Sequence, residues 1–257
     1  MLAWLIELGL WPAVLPLGSS IILIISSVFT AALTAAFGLG GGVVMLALLV
    51  NFIPVAMVIP VHGVVQVASN CTRALLLRRE IVWQIVCFYF LGALLGALVA
   101  GQFVVVLPEA VLLLVLAVFI LFLVWGPKIK QFQQGRLTHT IAGVLITFST
   151  MFLGATGPLA MALLPRKKML ARQVSATHAS LMIIQHGLKI ILFGWLGFNF
   201  SQWALFLTGM ILSGILGNFL GRMILNKLAA RYFQSTITII LTVLAIKMLV
   251  DGLLQII

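Results

Sequence analysis

Four of the five residues from Gly38 to Gly42 are glycine, and the apolar run Val43-Val44-Met45-Leu46-Ala47-Leu48-Leu49 follows them. Inside a helix each glycine costs up to about 1 kcal/mol against alanine. The cluster of Gly38, Gly40, Gly41 and Gly42 therefore predicts a break, with a short helix restarting at Gly42 or Val43. The first turn of such a helix has backbone N–H groups without intrahelical partners, at the positive end of its dipole. That is the chemistry of an anion site. A second break, Phe152-Leu153-Gly154-Ala155-Thr156-Gly157-Pro158, lies 115 positions after the first. Pro158 suits a first helical turn, and the Thr156 hydroxyl is available to cap that helix or to touch a solute. Close packing of helices through small residues is the purely structural alternative for these glycines. Recurrence of the break at Thr156-Gly157-Pro158 favours the chemical reading.

Polar side chains follow each break at matching distances. His62 lies 116 positions before His178, and the surrounding sets are Gln66, Ser69, Asn70 and Arg73 against Gln185, His186 and Lys189. A neutral imidazole can donate to an anion, or accept a proton and carry it. His178 and His186 are eight residues apart, about two helical turns, so one helix face can present both. Gln66 and Gln185 add neutral hydrogen-bonding groups. Arg73 reads as an anchor at a membrane face, whereas Lys189 stands apart from every other basic cluster. The histidines also admit a structural role as satisfied interhelical groups.

The elements that must position these groups are membrane spans. Hydrophobic residues make up 63% of the 257 and charged ones only 7%, against about 25% charged in a soluble domain. So few charges cannot cover a water-exposed surface of this size. A helix needs about 20 apolar residues to cross the hydrocarbon core. Long candidates run over 13–36, 54–77, 81–104, 107–125, 138–155, 173–196, 201–225 and 233–256. The stretches 43–53 and 158–165 are half-span lengths. The predicted fold is an all-α integral membrane protein of about eight transmembrane helices plus two short broken or re-entrant helices. No basic segment precedes the first apolar run, where Glu7 is the first charge and Arg73 the first base. The first span is therefore expected to be retained rather than cleaved.

Fifteen bases against four acids fall between the apolar blocks, which excludes a nucleic-acid footprint and reads as topology. Arg73, Arg78 and Arg79, then Lys128, Lys130 and Arg136, then Arg166, Lys167, Lys168 and Arg172, then Arg222, Lys227 and Arg231 all reach one face if each short helix re-enters. The positive-inside bias makes that face cytoplasmic and puts both termini outside a cell membrane. The same arrangement divides the chain into a first repeat at 1–126, a cytoplasmic linker at 127–137 and a second repeat of inverted topology at 138–257. Inverted repeats around broken helices are a transporter architecture.

These motifs, FGLGGGVV at 37–44 with VHGVVQVASNCTRALLLRREI at 61–81, and FLGATGPLAMALL at 152–164 with ATHASLMIIQHGLK at 176–189, resemble the TauE/SafE family of sulfite exporters or anion permeases. The resemblance spans residues 18–251. It implies secondary transport of small sulfur-containing or carboxylate anions, such as sulfite, sulfoacetate and related organosulfonates. It implies a substrate path at Gly38, Gly40, Gly41, Gly42, His62, Thr156, Gly157, Pro158, His178, His186 and Lys189. The second break lacks the GxGGG string, so the two breaks are unequal. The chain has no nucleotide-binding motif, so an ion or solute gradient is the expected source of energy. Glu7, Glu80, Glu109 and Asp251 are peripheral, which favours protons over sodium as the coupling ion. No cofactor and no metal are expected, and Cys71 and Cys87 suggest neither a disulfide framework nor a cluster. The partners expected are the anion and the lipid bilayer, with no nucleic acid and no oligomeric state indicated. A passive anion channel is the alternative. A membrane haem protein ligated by His178 and His186 is the remote one, since there is no CxxCH motif.

Overall fold

The computed structural model describes residues 2–38, 40–103, 108–127, 134–224 and 230–256. Leu39 of the first break, Lys128, Lys130 and Lys227 of the basic gaps, and most of the linker lie outside these residues. The chain is helical throughout the described residues: α1 (Leu2–Glu7), α2 (Leu17–Phe37), α3 (Gly41–Val50), α4 (Val55–Leu76), α5 (Trp83–Gly101), α6 (Glu109–Trp125), α7 (Arg136–Leu153), α8 (Gly157–Leu163), α9 (Ala171–Trp195), α10 (Ala204–Ile224) and α11 (Ala230–Leu254). Seven described helices are long and apolar enough to cross a membrane. The expected span at 107–125 is α6, whose 17 residues reach about 26 Å. The two half-span stretches are α3, with ten residues, and α8, with seven. At about 1.5 Å per residue neither can cross alone.

Polarity runs opposite to that of a water-soluble protein. Phe29, Leu98, Leu145, Ile191, Leu212 and Val243 are all exposed, while His62, Asn70, Arg73, Gln185, Lys189 and Asn218 are buried. An outer surface of this kind is stable only against lipid, and polar residues gathered inside it mark functional or pairing positions.

Glycines set the closest helix contacts. A Cβ on Gly92 would lie 1.8 Å from the Thr140 carbonyl oxygen, and one on Gly143 would lie 2.2 Å from that of Tyr89. The backbones of α5 and α7 therefore touch. On the opposite seam, a Cβ on Gly217 or Gly221 would come within 2.2 Å of the Val28 or Ala32 carbonyl, which brings α10 equally close to α2. Between these pairs α4 packs against α9, and α6 packs against α11. The short helix α3 is wrapped on all sides: Met45, Leu46 and Leu49 are fully buried in a core with Leu23, Val58, Leu116, Phe206 and Met248.

Candidate functional site

The two breaks are built alike. Helix α2 ends at Gly38, whose φ of 81° is left-handed and whose N–H donates to Thr34 O. Helix α7 ends at Gly154, with φ 69° and an N–H donating to Thr150 O. Only glycine adopts such φ values without strain. Beyond each end the chain turns into a short helix, and neither α3 nor α8 has a side-chain cap on its first turn. Gly41 is required for another reason, because a Cβ there would sit 1.9 Å from the Thr30 carbonyl.

Each break is held by the polar helix after it. His62 Nε2 donates to Gly42 O at 2.9 Å, and His178 Nε2 donates to Gly157 O at 3.0 Å. Arg73 Nη1 donates to the Thr34 and Gly38 carbonyls, each at 3.3 Å, and Lys189 Nζ donates to Gly154 O at 2.8 Å. Arg73 also binds Asn70 Oδ1, three residues back, just as Lys189 meets His186 Nδ1 at 3.3 Å. The rings of His62 and His186 lie edge to face, 5.5 Å apart. Residues 116 positions apart in the chain thus make matching bonds. Helix C-termini carry partial negative charge, and these two cations neutralise it.

Most of the sequence-predicted residues converge. Gly40, Gly42, His62, Gln66, Gly157, Pro158, His178 and His186 line a central cavity of about 30 Å³. That is room for one or two waters. Five do not line it. Gly41 is spent on the contact with α2, and Gly38 instead lines a larger vestibule. Lys189 is fully buried beside the cavity on His186 and Gly154. Thr156 and Gln185 form a separate network: the Thr156 hydroxyl donates to Gln185 Oε1 at 3.0 Å, and Gln185 Nε2 donates to the Tyr89 hydroxyl. Thr156 therefore ties α8 to α9 rather than capping α8.

Arg73 is the residue that sequence reasoning misplaced. It is 6% exposed and lines both the central cavity and a vestibule of about 750 Å³, so it is not an anchor on the membrane face. Its equivalence to Lys189 in the repeat was the signal that pointed inward. The vestibule is also lined by Arg166, Arg172 and Arg222, with apolar side chains between them. Asn218, which donates to Ser69 O at 3.1 Å, contributes to its wall. None of the four acids lines either space, and the one ion pair among the described residues is the surface pair Lys247–Asp251.

Residues 23–248 match the family model described as sulfite exporter TauE/SafE. The chain belongs to the TauE/SafE family. It is accordingly a multi-pass membrane protein and an anion transporter, not an enzyme. No curated protein and no solved structure matches the chain.

Proposed function

We propose that this TauE/SafE protein is a secondary transporter of small sulfur-containing or carboxylate anions, sulfite or sulfoacetate among them. In this reading the anion binds in the central cavity where α3 and α8 begin. The observation that carries it is the pair of buried bases, Arg73 and Lys189, with no carboxylate near them. The carbonyls at the helix ends offset only part of the cost of two full charges away from water, and a bound anion supplies the rest. The free N–H groups at the start of α3 add donors of the same sign. The cavity of about 30 Å³ has to widen to admit the solute, which fits a site that opens by relative movement of its walls.

The matching bonds of the two breaks support two repeats, 1–126 and 138–257, joined by a linker and inverted in the membrane. Rocking of one against the other would alternate access. The four-arginine vestibule then corresponds to the cytoplasmic mouth, since Arg166, Arg172 and Arg222 belong to the clusters that the positive-inside bias assigns there. Flux of labelled sulfite into proteoliposomes under imposed proton or sodium gradients tests the reading. Saturable uptake against a gradient, driven by protons, is expected. Flux that neither saturates nor accumulates would identify a channel, and drive by sodium alone would remove proton coupling.

Two further results are expected. Single cysteines at Asn51 and Asn199, in a background lacking Cys71 and Cys87, should react with an impermeant reagent in intact cells. A cysteine at Lys168 should be protected, as should one at Gln133, which lies outside the described residues. Labelling of Asn51 and Lys168 from the same side would defeat the inverted arrangement. Replacing Arg166, Arg172 and Arg222 together by glutamine should raise KM several-fold at low ionic strength. The difference should shrink as salt screens the vestibule, and a KM insensitive to salt in both proteins would deny it a steering role.

A further inference from the structure

We propose that the central cavity selects an oxyanion that still carries a proton, so that it binds a hydrogen-bearing monoanion such as hydrogensulfite rather than the dianion. This rests on the reading of the cavity as the anion site and adds the protonation state of its ligand.

The inference starts from two carbonyl groups. A carbonyl oxygen accepts hydrogen bonds and cannot donate them. His62 Nε2 lies 2.9 Å from Gly42 O, and His178 Nε2 lies 3.0 Å from Gly157 O. Each Nε2 therefore carries the hydrogen, and each neutral ring keeps a lone pair on Nδ1. Both Nδ1 atoms are buried and without a partner, in rings 0% and 3% exposed that line the cavity. A buried acceptor left unpaired is costly, and a group that donates to it relieves the cost. On the same wall Arg73 Nε is also buried and unpartnered, and it is a donor. The residues around the cavity thus combine a guanidinium donor with two imidazole acceptors.

A fully deprotonated oxyanion presents only lone pairs. It suits Arg73 but meets the lone pair of each Nδ1. An oxyanion bearing one hydroxyl matches both kinds of group: its charged oxygen accepts from Arg73, and its O–H donates to His62 or His178. The other way to satisfy a dianion is to protonate an imidazole, so that both of its nitrogens donate. The groups facing the rings oppose that. His62 faces the His186 ring and, behind it, Lys189 on α9. His178 shares its helix with His186 and Lys189 and shares the cavity with Arg73. The backbone groups facing the rings are the Gly42 and Gly154 carbonyls at His62 and the Gly157 carbonyl at His178, which leaves His178 the freer acceptor, and none of Glu7, Glu80, Glu109 or Asp251 lines the cavity. With cations already in place and no carboxylate beside them, the incoming ligand is the group that brings the proton.

Titration calorimetry of the full-length protein in nanodiscs tests this, with sulfite as probe from below to above its own protonation range. Sulfate, a dianion throughout that range, serves as comparison. The apparent affinity for total sulfite is expected to fall about tenfold per pH unit above that range, following the hydrogensulfite fraction. Sulfate is expected to bind at least about tenfold more weakly than hydrogensulfite, the factor that one lost hydrogen bond confers. The double variant His62→Gln, His178→Gln keeps an amide donor for each carbonyl and moves the acceptor from the Nδ1 position to the amide oxygen, so the preference for sulfite over sulfate should weaken. Affinity for total sulfite that ignores pH, with sulfate bound equally well, would overturn the inference and leave the cavity an anion site. Failure of folded protein to bind either anion would overturn both. The pH series on the unaltered protein decides the matter even if the double variant does not fold.

Discussion

Replacing Arg73 by methionine is expected to reduce sulfite transport by about 10- to 100-fold, the factor set by the roughly 1.5–3 kcal/mol of a hydrogen bond to a charged group. The guanidinium is the one cationic group shared by the vestibule and the central cavity. Its Nη1 hydrogens rest on the Thr34 and Gly38 carbonyls, while its Nε is unpartnered. Carbonyl bonds to a cation are exchangeable for bonds to an anion, so in the proposed reading Arg73 would take a solute from one space into the other. The carbonyls it leaves behind also lose a partner, and flux must therefore be read together with thermal stability. Arg73→Lys keeps the charge but loses the fork, and should retain fold while raising KM. A folded Arg73→Met protein with unchanged flux would remove the guanidinium from any account of anion handling.

The second large effect concerns folding. Gly92→Ala should sharply lower the melting temperature or prevent recovery of monodisperse protein. The added Cβ would stand 1.8 Å from the Thr140 oxygen and 2.8 Å from its carbon, both backbone atoms that cannot turn aside. Overpacking costs about 1–3 kcal/mol even where side chains can adjust, and more where they cannot. Gly217→Ala and Gly221→Ala should behave similarly at the seam of α10 with α2. Gly187→Ala is the control, since nothing lies within 4 Å of its Cβ and a mid-helix alanine is favoured over glycine. Equal thermal stability of the Gly92 and Gly187 variants would mean that α5 and α7 do not touch as described.

Local chemistry made much of this fold readable in advance. Glycine clustering at Gly38–Gly42 and around Gly154 marked the breaks because left-handed φ and close approach are properties of single residues and their neighbours. Apolar length placed the long helices within a few residues for the same reason. The limit shows at α6, where an apolar run counted as a full span yields 17 helical residues. Long-range contacts were not legible. Nothing near Thr156 in the chain announces that its hydroxyl goes to Gln185, nor that Gln185 also binds Tyr89, 96 positions away. Arg73 was misread because a base at the end of an apolar run resembles the exposed Arg78 and Arg79 that follow it. Only its counterpart Lys189, which no face of the membrane explained, argued otherwise.

The smallness of the central cavity has an electrical consequence. A membrane that stores energy as a voltage loses it through any continuous file of water, along which protons hop from molecule to molecule. Between the wide basic mouth and the paired histidines the space contracts to about 30 Å³, too little for such a file. In the proposed alternating-access reading such a constriction would hold the voltage, and charge would cross only when the walls move with an anion held between them.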